Sequence, residues 1–286
     1  MGAHPRFFRA SALCLALLFA SGCSVREYAL RSVGDALAAG GDSYGADDDI
    51  ELIGAATPFG LKTIESLLAE VPDHKGLLLA AARGFTQYAY VYVQTPAEEA
   101  EERDVAAAYA QLDRARRLYV RARDYGRRGL RQAPDDVALL YWTAVATAAA
   151  ISLSKDRPEA LADLPEVERL IRRAEALDPD FDRGTLQSFL IGYEMSRPNA
   201  GADAEKLARA HFARAVALAH GRHAGPYVSL AESVSVERHD RREFESLLGQ
   251  AMQVDPGAQP EWRLANLVMQ KRARRLLARA DELFPE

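Results

Sequence analysis

Apolar residues recur along most of this chain at the three- and four-residue spacing of a helix face, and the alternating β-branched runs that mark strands are missing. The pattern predicts about a dozen helices: Val25–Ala38, Asp47–Ala55, Pro58–Glu70, Lys75–Gln94, Glu98–Gln132, Asp136–Leu153, Pro165–Leu177, Asp182–Ser196, Asp203–His220, Gly225–Glu237, Arg241–Val254 and Pro260–Asp281. Pro72, Pro134, Pro179 and Pro256 each follow a predicted helix, where a residue without an N–H cannot continue the ladder. The breaks at Pro72-Asp73, Pro134-Asp135-Asp136, Pro179-Asp180 and His220-Gly221 recur, and the later intervals fall near the roughly 34 to 47 residues of helical-hairpin repeats. The expected fold is all-α, a tetratricopeptide-like stack of helical hairpins over residues 46–286.

The stretch from Arg114 to Arg131 shows how such units would stack. At ~100° per residue, Ala115, Leu118, Tyr119, Ala122, Tyr125, Gly126, Gly129 and Leu130 share one arc, and every arginine of the stretch lies outside it. Ala122, Gly126 and Gly129 let a neighbouring helix approach closely, with Leu118 and Tyr125 filling a flank. The arginines read as a solvated face paired with nearby glutamates such as Glu98, Glu99, Glu101 and Glu102.

Ahead of this body, Arg6 and Arg9 precede an apolar run from Ala10 to Ala20, and Ala20-Ser21-Gly22 places small residues before Cys23. The run is about half the roughly 20 apolar residues a membrane-spanning helix needs, so it reads as an export signal, residues 1–22, ending at a lipidation site on Cys23. Cys14 would leave with the signal, and acylation would remove the lone remaining thiol from an oxidising compartment. Residues 23–45 would then be the lipid-anchored N-terminal segment. Ser24 after the cysteine matches the outer-membrane sorting pattern of Gram-negative lipoproteins.

Charge and motifs narrow the chemistry. The net charge is −5, and it grows more negative without Arg6 and Arg9, which argues against a nucleic-acid partner. Asp47-Asp48-Asp49 lacks the spaced oxygens of a calcium loop and suits a helix N-terminus. His211, His220 and His223 show no metal-ligand spacing, and no nucleophile elbow, phosphate loop or dinucleotide fingerprint occurs. The expectation is therefore a protein without cofactor, metal or catalytic residues.

Aromatic residues are the candidate ligand contacts. Phe85, Tyr88 and Tyr92 lie at i, i+3 and i+7 on one predicted helix face, and Tyr141-Trp142 opens another helix. They suit either core filling between hairpins or the wall of a groove for an apolar or weakly polar small molecule. Tyr227 joins this set, as does Asn266, which needs a hydrogen-bond partner if its apolar helix is buried.

Six segments, in order along the chain, together with a C-terminal basic run, carry a family likeness. They are Pro58-Phe59…Leu61-Lys62…Glu65…Leu67-Leu68, Pro72-Asp73-His74, Gln87-Tyr88-Ala89-Tyr90, Leu118-Tyr119…Arg121-Ala122-Arg123-Asp124-Tyr125-Gly126, Gly221-Arg222-His223-Ala224-Gly225-Pro226-Tyr227 and Arg263-Leu264-Ala265-Asn266-Leu267; the run is Lys271-Arg272-Ala273-Arg274…Leu276-Leu277. With Ile151-Ser152-Leu153-Ser154-Lys155-Asp156, they make nearly the whole mature chain resemble the T component of tripartite ATP-independent periplasmic (TRAP) transporters. The chain departs from the family's Gly-Gly-Asp turn at Gly201-Ala202-Asp203. The resemblance implies a non-enzymatic accessory lipoprotein of solute uptake that binds a periplasmic solute-binding (P) component. It also implies a homo-oligomer with a ligand-passing pore through each protomer. The competing reading is a scaffold lipoprotein whose concave face gathers envelope-assembly proteins.

Overall fold

Aspartate starts many of the helices. Asp49, Asp104, Asp136 and Asp240 each accept a hydrogen bond from the backbone N–H three residues on, at 2.9 to 3.1 Å. Each such cap contributes about 1 kcal/mol by satisfying a donor that the first turn leaves free. His74 plays the same part through Nδ1, which accepts from Leu77 N–H at 3.3 Å.

The computed structural model describes residues 25–101, 103–154, 157–198 and 200–285, and among these no strand occurs. The helices are α1 (25–39), α2 (Gly41–Gly45), α3 (Ile50–Glu70), α4 (Lys75–Ala89), α5 (Thr95–Ala100), α6 (Val105–Leu130) and α7 (Val137–Ser152). They continue with α8 (Pro158–Leu161), α9 (Leu164–Leu177), α10 (Phe181–Ser196), α11 (Ala204–Leu218), α12 (Gly225–Leu230), α13 (Arg241–Gln253), α14 (Arg263–Ala278) and α15 (Ala280–Leu283). Twelve of them run six residues or more, in line with the expected dozen. The expected signal and the expected lipidation site at Cys23 lie outside the described residues.

Several boundaries differ from the sequence reading. Asp47–Ala55 and Pro58–Glu70 are one helix, α3, with Pro58 inside it. Proline removes one ladder bond there, while the buried series Ile53, Leu61 and Leu68 continues across it, so packing overrides the local break. Glu98–Gln132 is instead interrupted, because Asp104 caps a fresh start at Val105. Lys75–Gln94 and Gly225–Glu237 each pass into a π-helical turn, Tyr90–Gln94 and Ala231–Ser235.

Antiparallel neighbours pack in succession: α3 on α4, α4 on α6, α6 on α7, α7 on α9, α10 on α11, α12 on α13 and α13 on α14. The closest approach is the expected one. A Cβ on Gly126 would lie 2.1 Å from Thr143 Oγ1, and one on Gly129 would lie 2.7 Å from Leu139 Cδ2, so α6 meets α7 across bare backbone. Buried side chains form a relay of clusters along the chain rather than one centre, as stacked hairpins require.

A second set of contacts bends the stack into a ring. α4 touches α7, α7 touches α10, α10 touches α12, α12 touches α14, and α14 returns to α2 and α3. The ring leaves a lumen between first and last hairpins. The α6 arginines face outward, but their partners differ from those expected: Arg121 pairs with Glu65, Arg123 with Asp163, and Arg127 with Asp163 and Glu166. Glu98 and Glu99 are drawn instead to Arg272 and Arg275 of α14, which helps close the ring.

Candidate functional site

The lumen is a cavity of about 1120 Å³, larger than the roughly 300 to 1,000 Å³ of ordinary small-molecule pockets. One wall comes from α7 and α10. Tyr141 sits at its centre, 5.1 Å from Trp142 and 5.4 Å from Phe181 between ring centroids, with Phe189 edge-on at 6.1 Å. Such pairs fix each other's orientation beyond simple burial. The adjoining wall from α4 and the π turn after it carries Tyr88 and Tyr92, 5.6 Å apart, and Tyr90. Trp262, Leu264, Ala265 and Val268 supply the side contributed by α14 and the turn before it.

Of the residues singled out in the sequence, Tyr88, Tyr92, Tyr141 and Trp142 line this cavity. Phe85 does not: it stacks on Tyr125 at 6.0 Å, inside the packing between α4 and α6. Tyr227 packs edge-on against Phe212 at 5.5 Å in the C-terminal core. Asn266 is fully buried and structural. Its Oδ1 accepts from Ala224 N–H and its Nδ2 donates to the Arg222 carbonyl, both at 2.9 Å, which holds the loop bearing His223. Asp49 of the acidic run is the α3 cap, and Asp47 accepts from Asp49 N–H. Among the described residues no group of three or more His, Cys, Asp or Glu side chains is placed to hold a metal ion.

Surrounding protein shifts several of the titratable groups on the lumen wall. His223 lies deep in the molecule with its ring edge-on to Trp262 at 5.3 Å, and desolvation pushes its pKa down to about 4. Its Nδ1 accepts from Gly225 N–H at 3.2 Å, the arrangement of a neutral imidazole. Burial pushes Tyr90 and Tyr92 up to about 12. The Tyr92 hydroxyl has no hydrogen-bond partner among the described residues, and its ring is admitted by Gly54, whose Cβ would lie 2.6 Å from it.

The sequence reading missed the lumen's charged residues. Asp182-Arg183-Gly184 was expected to be helical, yet all three have left-handed backbone, with φ of 48°, 50° and 100°. Gly184 needs that freedom, since a Cβ would come within 3.1 Å of the Ala215 backbone. Asp182 and Arg183 adopt it at a cost of order 1–3 kcal/mol each, and such strain persists where surrounding structure imposes it. Asp182 consequently faces the lumen, while Arg183 crosses to Glu261 at 2.5 Å and lies 4.3 Å over the Trp262 ring. The Asp-Arg-Gly triplet behind Pro179-Asp180 was the available signal.

A ring of helical hairpins around an aromatic-lined cavity makes this an all-helical protein with an internal chamber. The chain belongs to the T-component family of TRAP transporters: the family model described as TRAP transporter T-component matches residues 46–135 and 131–284. It is thus an accessory component of TRAP transport, in a family of transporter parts rather than enzymes. It is also similar to a protein of Treponema pallidum (strain Nichols) described as uncharacterized, at 26% identity over 306 residues that cover 93% of this chain and 94% of the relative.

Proposed function

We propose that this T component is a lipoprotein, anchored through Cys23 in the cell envelope after loss of residues 1–22, facing the periplasm from the outer membrane. There it binds the periplasmic solute-binding component and passes a small apolar or carboxylate ligand through its lumen. The observation that supports this reading is the open cavity bounded by Tyr88, Tyr92, Tyr141 and Trp142. A filled core with an exposed concave apolar face would have favoured a scaffold instead. Anchoring raises the effective concentration of the body for partners confined to the same compartment. The segment after the anchor is docked on the body: Arg26 pairs with Glu70, Arg31 with Asp73, and His74 Nε2 lies 3.0 Å from the Arg31 carbonyl.

The test is affinity capture of the full-length protein from envelope extracts, with membrane fractionation of Cys23→Ser alongside. Recovery of a solute-binding protein, and release of the variant from the membrane fraction, are expected. Repeated recovery of assembly factors without a solute-binding protein would overturn the transport reading, and unchanged fractionation would overturn the anchor.

A further inference from the structure

Two charged groups in the lumen are left without a counterion in contact. Arg83 of α4 lines the cavity and makes no hydrogen bond or ion pair with any described residue. Asp182, at the head of α10, lines the same cavity and forms no ion pair with any described residue. The other lumen carboxylates are committed: Glu232 to Arg272, and Glu261 to Arg183. One cation and one anion therefore remain open to a ligand.

Their placement is specific. α7 touches both α4, which carries Arg83, and α10, which carries Asp182, and its own Tyr141 and Trp142 line the same cavity. The neighbouring Arg183, itself committed to Glu261, and after it Arg83 favour the ionised form of Asp182, yet neither arginine forms an ion pair with it. Lost hydration against the cavity wall works against the Asp182 charge and raises its pKa, although the side chain keeps solvent exposure. An approaching ammonium would relieve that penalty, and a carboxylate would do the same for Arg83. A simple anion on Arg83 would be repelled by Asp182, and a simple cation on Asp182 by Arg83. A molecule carrying both charges a few bonds apart meets neither objection.

We propose that the lumen binds a zwitterion of the α-amino-acid class with an apolar side chain, its carboxylate on Arg83, its ammonium on Asp182 and its side chain against Tyr141 and Trp142. The inference rests on the reading that the lumen carries the ligand, and it names the class of that ligand. The left-handed backbone at residues 182–184 is what turns the carboxylate inward. Arg83 and Asp182 are then the residues that determine specificity, with the aromatic wall contributing affinity common to many apolar groups.

The test uses the purified full-length protein and four probes that share one phenylethyl skeleton: L-phenylalanine, 3-phenylpropanoate, 2-phenylethylammonium and 2-phenylethanol, titrated by calorimetry. L-phenylalanine is expected to bind about tenfold or more tighter than the other three, as one added charge-assisted contact implies. Arg83→Gln should weaken L-phenylalanine and 3-phenylpropanoate but spare 2-phenylethylammonium, with Arg83→Lys restoring part of the loss. Asp182→Asn should weaken L-phenylalanine and 2-phenylethylammonium but spare 3-phenylpropanoate. Thermal melts by circular dichroism establish that each variant is folded, with Asp182→Ser replacing any Asn variant that is not. Equal affinity for 3-phenylpropanoate and L-phenylalanine, unchanged in Asp182→Asn, would overturn the inference in favour of a plain anion site. If 2-phenylethanol binds as tightly as L-phenylalanine and neither variant matters, the zwitterion falls while the ligand-carrying lumen stands. Binding of none of the four would overturn both.

Discussion

Arg272 holds Glu232 through two nitrogens at once, with Nε 3.0 Å and Nη2 2.7 Å from the carboxylate oxygens. The same guanidinium lies 5.7 Å over the ring of Tyr90 and 3.5 Å from Glu98. Tyr90 opens one π-helical turn and Glu232 lies in the other, so a single α14 side chain ties together the two places where the helical ladder widens. Such turns are rare and concentrate where a helix must redirect side chains for function. Here they join the first hairpins to the last.

Breaking that tie should loosen the ring. Both side chains are largely buried, at 20% and 27% exposure, so Arg272→Gln leaves a carboxylate poorly compensated. The expected loss is about 2–3 kcal/mol in urea unfolding, near the lower end for breaking a buried pair. Arg272→Met with Glu232→Leu should recover most of it, because removing both charges removes the uncompensated one.

The α6–α7 contact makes a sharper steric prediction. Gly126→Ala places a methyl 2.1 Å from Thr143 Oγ1, and Thr143 is fully buried, so the hydroxyl has little room to move. A loss of about 1–3 kcal/mol is expected by thermal or chemical unfolding. Thr143→Ala in the same chain removes the clashing oxygen and should return part of that loss. Gly129→Leu should also destabilise, since Leu139 occupies the space its side chain would enter.

Much of this packing was legible in the sequence. The apolar arc of α6, with Ala122, Gly126 and Gly129 at its centre, reports the close approach because helical period and residue size are both local properties. The ring closure was not legible. Arg272 meets Glu98 and Glu232 across long stretches of chain, and nothing in the spacing of charges says which arginine reaches which glutamate. Aromatic residues gave a divided answer for the same reason. Phe85 and Tyr88 share one helix face, yet Phe85 packs on Tyr125 while Tyr88 borders the cavity, because the partner helix α6 covers only part of that face. Asp182 opens the expected helix Asp182–Ser196, yet its backbone is left-handed, a tertiary feature that shares its turn with the tight fit of Gly184 on Ala215 and leaves no periodic trace in the sequence.

His223 should give the fold an acid sensitivity. Its pKa is about 4 in the folded protein, against about 6.5 for the exposed side chain, so below pH 6.5 the unfolded chain binds a proton that the folded one refuses. Stability falls as pH drops from 6.5 towards 4, by up to roughly 3 kcal/mol from this group. Carboxylates held by arginines, such as Glu65 and Glu243, contribute further losses at lower pH. His223→Gln isolates the histidine: the difference in melting temperature between pH 7 and pH 5 should shrink relative to the parent, and an unchanged difference would show that another group titrates.

The lumen can be filled without touching the outer packing. Ala265 of α14 lines the cavity and its side chain is open to the lumen, so Ala265→Trp projects an indole into the space with little displacement of neighbours. Unfolding should be nearly unchanged, and affinity for any lumen-bound probe should fall at least about tenfold, the scale set by losing an apolar contact of more than about 1.4 kcal/mol. Intact probe binding in a folded variant would place the probe elsewhere on the protein.

Asp182→Gly separates what strain costs from what it achieves. With φ of 48° and ψ of 49°, residue 182 occupies a region that glycine enters freely and aspartate does not. Replacing it also removes a carboxylate whose charge lost hydration disfavours. Both changes act in the same direction on the folded state, and the greater freedom of glycine in the unfolded chain opposes them by roughly 0.5–1 kcal/mol. The net expectation is a variant as stable as the parent or more stable by about 1 kcal/mol in urea unfolding. That would be an unusual result for deleting a side chain, since most substitutions destabilise. A clear loss of stability would mean that the Asp182 carboxylate secures the turn rather than being held there by it.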